Sequence, residues 1–204
     1  RAIVAPLIDV DLLAARGERI DVLLNNVGVL LDDYTLTVEG REASLATNLL
    51  NHYLLTEDLL TRDLLARDGV VINMSSGGMY NVPLMVEALR MPAQAYNGVL
   101  AYGLHKRAQV VLTDWWRDRH RERGVRFYAM HPGWSDTEGV RTSLPRFRRL
   151  LRCVLRDEAQ GADTALWLAA RRPAQTQDEL VWFVRKARPA HVFARTRASV
   201  GTPA

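Results

Sequence analysis

Short apolar, β-branched runs alternate along the chain with longer stretches whose apolar residues recur at helical spacing. The runs are Ile3–Val10, Ile20–Leu24, Val70–Met74, Val125–Met130 and Leu180–Val184. Each ends on polar or turn residues, as strands of a parallel sheet do when both their faces are covered. Between them, residues 42–66 place Leu45, Leu49, Tyr53, Leu60 and Leu64 on one stripe, and residues 100–121 do the same with Ala101, Leu104, Ala108, Val111, Leu112 and Trp115. A further helix is predicted over residues 158–170. Strand and helix in this rhythm predict an α/β fold with a doubly wound parallel sheet. The chain reads as one domain over residues 1–204, with a core to residue 185 and an irregular tail over 186–204. Ligands of such sheets bind outside the carboxyl ends of the strands.

Polar residues gather where that rule puts them. Asn25-Asn26-Val27-Gly28 follows one strand, Ser75-Ser76-Gly77-Gly78 the next, and His131-Pro132-Gly133-Trp134 a third. Taken singly, Asn-Gly and Pro-Gly pairs mark turns and serines cap helices. Together they converge on one crevice, and the helix after the serine strand carries Tyr102 and Lys106, one turn apart, in a chain with only two lysines. An ammonium held beside a phenol lowers its pKa from near 10 toward the range where it trades protons at neutral pH. That pairing suits general acid/base chemistry on an alcohol or carbonyl.

Composition narrows the alternatives. With 204 residues, 48% hydrophobic and 25% charged, the chain can bury one sizeable core. Cys153 is the lone cysteine, which excludes an internal disulfide framework and a cysteine-based metal cluster and points to a reducing, cytoplasmic setting. Five scattered histidines show no metal-ligand spacing, and no apolar run is as long as a membrane span. The net charge of +4 comes from arginines spread among 23 acids, which argues against a nucleic-acid surface. The one basic concentration, Arg141–Arg156, reads as an amphipathic helix. It would be a solvated lid, or a surface for anionic lipid or a phosphorylated substrate.

Read in order, Asn25-Asn-x-Gly28, Asn48 after Thr47, Ser76, Tyr102-x-x-x-Lys106 and Pro132-Gly133 with Thr137 resemble the short-chain dehydrogenase/reductase family over about residues 3–185, and within it the retinol-dehydrogenase-like branch. The resemblance implies a Rossmann-like fold and hydride exchange between an NADP or NAD cofactor, NADP favoured, and a small-molecule substrate. It makes Tyr102 the acid/base, Lys106 its partner and a ribose ligand, Ser76 the holder of the substrate oxygen, and Asn48 the residue that binds a proton-relaying water. Cofactor contacts would fall on Asp9 at the adenine, Asn25, Val27 and Gly28 at the adenosine ribose, and Pro132, Gly133, Trp134 and Thr137 near the nicotinamide. Residues 42–66 and 100–121 would pair in a homodimer or homotetramer. Apolar residues between Ser76 and Tyr102 (Met79, Tyr80, Val82, Leu84, Met85, Val86, Leu89 and Met91) would wall an apolar pocket or pack a surface loop.

One departure stands out. The family's glycine-rich phosphate turn has no counterpart after the first strand, which matches the family's third. The chain therefore reads as N-terminally incomplete, without two strands and their phosphate-binding helix N-terminus, and is expected to be inactive in isolation. The competing readings are a non-catalytic relative serving as a binding module and an epimerase or dehydratase of the extended branch. Asn25-Asn-x-Gly28 and the short C-terminal part speak against the latter.

Overall fold

The computed structural model describes residues 9–133, 156–175 and 180–197. Helix α1 (Val10–Arg16) leads into β1 (Ile20–Asn25). A composite helix follows: α2 (Ala43–Leu45), a π turn (Ala46–Leu50) and α3 (Asn51–Thr61). Then come β2 (Leu65–Met74), α4 (Gly98–Arg119), β3 (Arg126–Met130), α5 (Glu158–Arg171), β4 (Val181–Phe183) and β5 (Lys186–Arg188). The sheet runs β1-β2-β3-β4-β5 in space, parallel through β4, with β5 antiparallel to it.

Register explains the two-sided core. Leu23 stands beside Val71, and Val71 beside Phe127; these turn to one face and pack with Leu59, Leu60, Leu64 and Trp116 of the α3/α4 layer. Val70, Ile72, Tyr128 and Met130 turn to the other face and meet Ala165, Leu168 and Trp182. Both faces of β2 and β3 are thus buried, which is why those strands read as unbroken apolar runs. Leu23, Val70, Val71, Ile72 and Phe127 to Met130 are all at or below 4% exposure.

Several expectations need correction. Val10 is helical: Asp9 is the N-cap of α1, its carboxylate accepting from the Leu12 amide at 2.9 Å, so the predicted strand does not reach residue 10. Residues 3–8 lie outside the described residues, as do 141–155 of the predicted basic helix. The long helix predicted to residue 66 stops at Thr61, because Asp63 takes a left-handed backbone (φ 55°) and Leu65 already pairs with Ile20. The tail is not irregular at its start: Val184 and Arg185, at φ 51° and 56°, turn the chain into β5. Arg185 is held there by Asp163 of α5, at 2.8 Å through its Nε.

Helix α4 is placed by its first residues. Asn97 caps it by accepting from the Leu100 amide at 2.9 Å, and Gly98 follows where a Cβ would stand 1.9 Å from the Leu31 carbonyl oxygen. Deeper in the helix, Arg107 is fully buried and donates to three backbone carbonyls, Val82 at 3.1 Å, Ala190 at 2.7 Å and Met79 at 2.8 Å. Burial holds its pKa below the ordinary arginine value. Removing the charge relieves that desolvation, but each orphaned carbonyl costs more than it recovers. Arg107→Met is therefore expected to lower the unfolding free energy by about 2 kcal/mol. Urea denaturation that leaves the midpoint unchanged would show that the three carbonyls have other partners.

Candidate active site

The carboxyl ends of β1, β2 and β3 meet the middle of α4. Tyr102 and Lys106 face one side of that helix, with Lys106 Nζ 5.6 Å from the centre of the Tyr102 ring. Lys106 is 2% exposed and its ammonium donates to the Met74 carbonyl at 2.7 Å, just where β2 ends. Burial drives its pKa from 10.5 down to about 7. Burial also raises the Tyr102 phenol above 10, opposed by hydrogen bonding to the Ser76 hydroxyl. This reverses the direction expected from the spacing alone. The ammonium is itself desolvated and bonds a carbonyl rather than the phenol oxygen, so it does not pull the tyrosine down.

The two serines separate cleanly. Ser75 is buried and its hydroxyl donates to the Lys106 carbonyl at 2.8 Å, fixing β2 to α4. Ser76 is partly open, caps the turn at Gly77–Asn81 by accepting from the Gly78 amide at 3.3 Å, and lies toward Tyr102. Asn48 sits in the π turn, fully buried. Its side chain exchanges two hydrogen bonds with the backbone of Val29, accepting from the amide and donating to the carbonyl, both at 2.8 Å. A residue that competes for backbone hydrogen bonds is at home in such a local widening of the helix, and π turns recur at functional sites.

Gly28 lies between these groups. A Cβ there would stand 3.1 Å from Lys106 Nζ and 3.2 Å from Asn48 Oδ1, so glycine lets the backbone approach both groups closely. Val27 next to it is exposed, and Pro132 and Gly133 are half-buried on the β3 side. Gly133 takes φ 84°, and its amide donates to His131 Nδ1 at 3.2 Å while the His131 ring stacks on Phe183 at 4.4 Å. A Cβ at Gly133 would stand 2.9 Å from the Phe183 ring and 3.0 Å from Arg156 Cδ, so glycine lets the strand-end turn pack closely there. Asn25 and Asp9 fit poorly as side-chain ligands. The Asn25 amide is buried, donating to Thr56 at 3.1 Å and Asn73 at 2.8 Å, and the Asp9 carboxylate caps α1. Trp134 and Thr137 lie outside the described residues.

The profile of the short chain dehydrogenase family matches residues 10–146. The chain belongs to that family. Among curated relatives of this short-chain dehydrogenase, Dehydrogenase/reductase SDR family member 12 of Bos taurus is 42% identical over 182 residues, which is 88% of this chain and 57% of the relative. Retinol dehydrogenase 12 of Bos taurus is 35% identical over 157 residues, 76% of this chain and 49% of the relative. The chain spans about half the length of these relatives. The angucycline C-6 ketoreductase LanV, solved with bound NADP, shares the fold at a TM-score of 0.55 and 22% identity, over 74% of this chain and 56% of that one.

Two features of the short-chain dehydrogenase's site escaped the sequence. His52 and Gln109 are buried beside Asn48, Gln109 donating to the Asn48 carbonyl and lying 2.7 Å from His52, and Asn73 donates to Thr113, whose hydroxyl bonds the Gln109 carbonyl. Polar residues within otherwise apolar elements were the available signal. Of the residues expected to wall a pocket, Met79 and Leu84 are instead core, at 0% and 8% exposure, whereas Met85 and Val86 are exposed. Among the described residues, a separate hollow lined by Arg19, Asp63, Arg67 and Glu122 lies at the amino ends of the strands, away from the site.

Proposed function

We propose that the whole protein is an NAD(P)-dependent oxidoreductase that interconverts an alcohol and a carbonyl on an apolar small-molecule substrate. The observation that carries this reading is the placement of Tyr102, hydrogen-bonded to Ser76, with the buried Lys106 5.6 Å from its ring, both at the carboxyl edge of the sheet. When bound, the dinucleotide supplies or accepts the hydride. Val27, Gly28, Pro132 and Gly133 would lie against it, with Trp134 and Thr137 following on the same segment, and Lys106 facing its ribose.

The rest is the work of this chain's own side chains. Tyr102, held protonated by burial, gives its proton to the carbonyl oxygen in reduction and receives one in oxidation. Ser76 donates a hydrogen bond to the same oxygen as charge builds on it. Lys106, poised near neutrality, can be charged or neutral at little cost, and so can return a proton to the phenol. Asn48 keeps the Val29 and Gly28 backbone in place beside it.

The apolar substrate class rests on the exposed Met85 and Val86 after the serine turn, and on a relative named for retinol. Self-association through α3 and α4 would cover Leu54 and Trp115, which are 61% and 43% exposed. Among the described residues, no helix is long and apolar enough to cross a membrane. The reading is tested by following oxidation of NADPH and of NADH by the whole protein with long-chain or polyene aldehydes and with sugar aldehydes. Consumption is expected with the apolar aldehydes and not with the sugars. Equal or faster turnover of sugars would overturn the substrate class, and no dinucleotide-dependent turnover with any carbonyl would overturn the activity.

A further inference from the structure

Helices α3 and α4 meet over a polar seam that proton transfer by Tyr102 does not use. Gln109, three residues beyond Lys106 and 1% exposed, reaches across to the π turn. Its Nε2 donates to the Asn48 backbone carbonyl at 2.6 Å and lies 2.7 Å from His52 Nδ1. These two contacts use both hydrogens of the amide. His52 must then offer Nδ1 as an acceptor, which makes it a neutral imidazole with its proton on Nε2. Burial, reinforced by the Lys106 ammonium, lowers His52 to about 4, so the neutral ring is the resident form.

The seam is braced from below. The Gln109 carbonyl accepts from the Thr113 hydroxyl at 2.6 Å, Thr113 accepts from the Asn73 amide at 2.8 Å, and Asn73 accepts from Asn25 at 2.8 Å. A continuous line of buried hydrogen bonds therefore runs from the end of β1 through β2 and α4 to the π turn. From there the Asn48 side chain carries it on to Val29.

The geometry points to Gln109 as a positioning residue: oriented by the neutral His52 ring, its amide pins the Asn48 carbonyl and so holds the π turn and the Gly28 backbone against Lys106. The assignment rests on the reading of Tyr102 and Lys106 as the proton-transfer pair. Gln109 touches neither, and acts on Lys106 by keeping its surroundings dry and fixed.

The test uses the whole protein. Gln109→Met keeps the length of the side chain and removes both donors; Gln109→Glu cannot donate to both partners at once. Both are expected to lower kcat about ten-fold with unchanged dinucleotide affinity. The Lys106 titration, followed at a labelled Cε, should move up by about one unit as the released turn admits water. Nitrogen spectra of the unmodified protein should show the His52 proton on Nε2 at neutral pH. A Lys106 midpoint within about 0.2 units of wild type in the variants, or a His52 proton on Nδ1, overturns the assignment whether or not turnover is seen. The His52 measurement decides even if neither variant folds. Undiminished turnover in Tyr102→Phe would instead sink the proton-transfer reading, leaving the Lys106 titration to judge Gln109.

Discussion

Replacing Tyr102 by phenylalanine lowers turnover about a thousand-fold and leaves folding and dinucleotide affinity nearly unchanged. General acid/base transfer by a positioned side chain contributes about a hundred- to ten-thousand-fold, and here no second group stands ready to replace the phenol. Ser76 is a hydroxyl of much higher pKa, Ser75 is committed to the Lys106 carbonyl, and Lys106, anchored to the Met74 carbonyl, serves the reaction through the phenol. The ring itself stays packed in Tyr102→Phe, so the cost to stability is limited to the hydroxyl's contact with Ser76. Single-turnover hydride transfer in the whole protein measures the effect free of product release. Retention of more than about a tenth of the wild-type rate would mean that the proton comes from elsewhere.

Lys106→Met has a double signature: turnover falls at least about a hundred-fold, yet the protein becomes more stable near neutrality. The lysine titrates at about 7 in the folded state against 10.5 ordinarily. Between those values the unfolded chain binds more protons than the folded one, so wild-type stability rises with pH across that window. The penalty for burying the ammonium is complete below pH 7 and gone above pH 10.5. Methionine removes that penalty, which amounts to a few kcal/mol, and gives up the hydrogen bond to the Met74 carbonyl, worth about 1 kcal/mol. The net gain at and below pH 7 is roughly 2 kcal/mol and turns to a small loss above pH 10.5. Urea midpoints at the two ends of the window measure it. A variant less stable than wild type below pH 7 would show that the lysine is not held near neutrality. The site is in this sense maintained against the stability of the fold.

The fold was largely legible because the central strands are buried on both faces and read as uninterrupted apolar runs. Where the reading slipped, the backbone turned without a Gly or Pro to mark the break. Asp63 ends α3 in a left-handed conformation, and the apolar pairs Leu59-Leu60 and Leu64-Leu65 continue the helical stripe straight across that break. Val184 and Arg185 close the β4–β5 hairpin with positive φ where Asn-Gly would be expected; the contacts of Arg185 with Asp163 and Thr164 compensate from α5, distant in sequence. In the site, Tyr102 and Lys106 were visible through helical spacing. Ser76 could be preferred to Ser75 only through the family resemblance, since both follow directly on the end of β2. His52 and Gln109 were not visible, since their partnership crosses two helices and depends on which ring nitrogen carries a proton. The sign of the Tyr102 shift was also beyond the sequence, because spacing records which charge is near but not how dry the neighbourhood is.

The guanidinium of Arg107 joins two segments that differ in their work. Met79 and Val82 belong to the excursion that leaves the serine strand, and Ala190 to the stretch beyond β5. Since one planar group grips both, the excursion cannot swing outward without dragging or releasing the tail. Order in the excursion and anchoring of the stretch beyond β5 are thereby a single mechanical trait, and a change that displaces the Ala190 carbonyl will loosen the excursion as well.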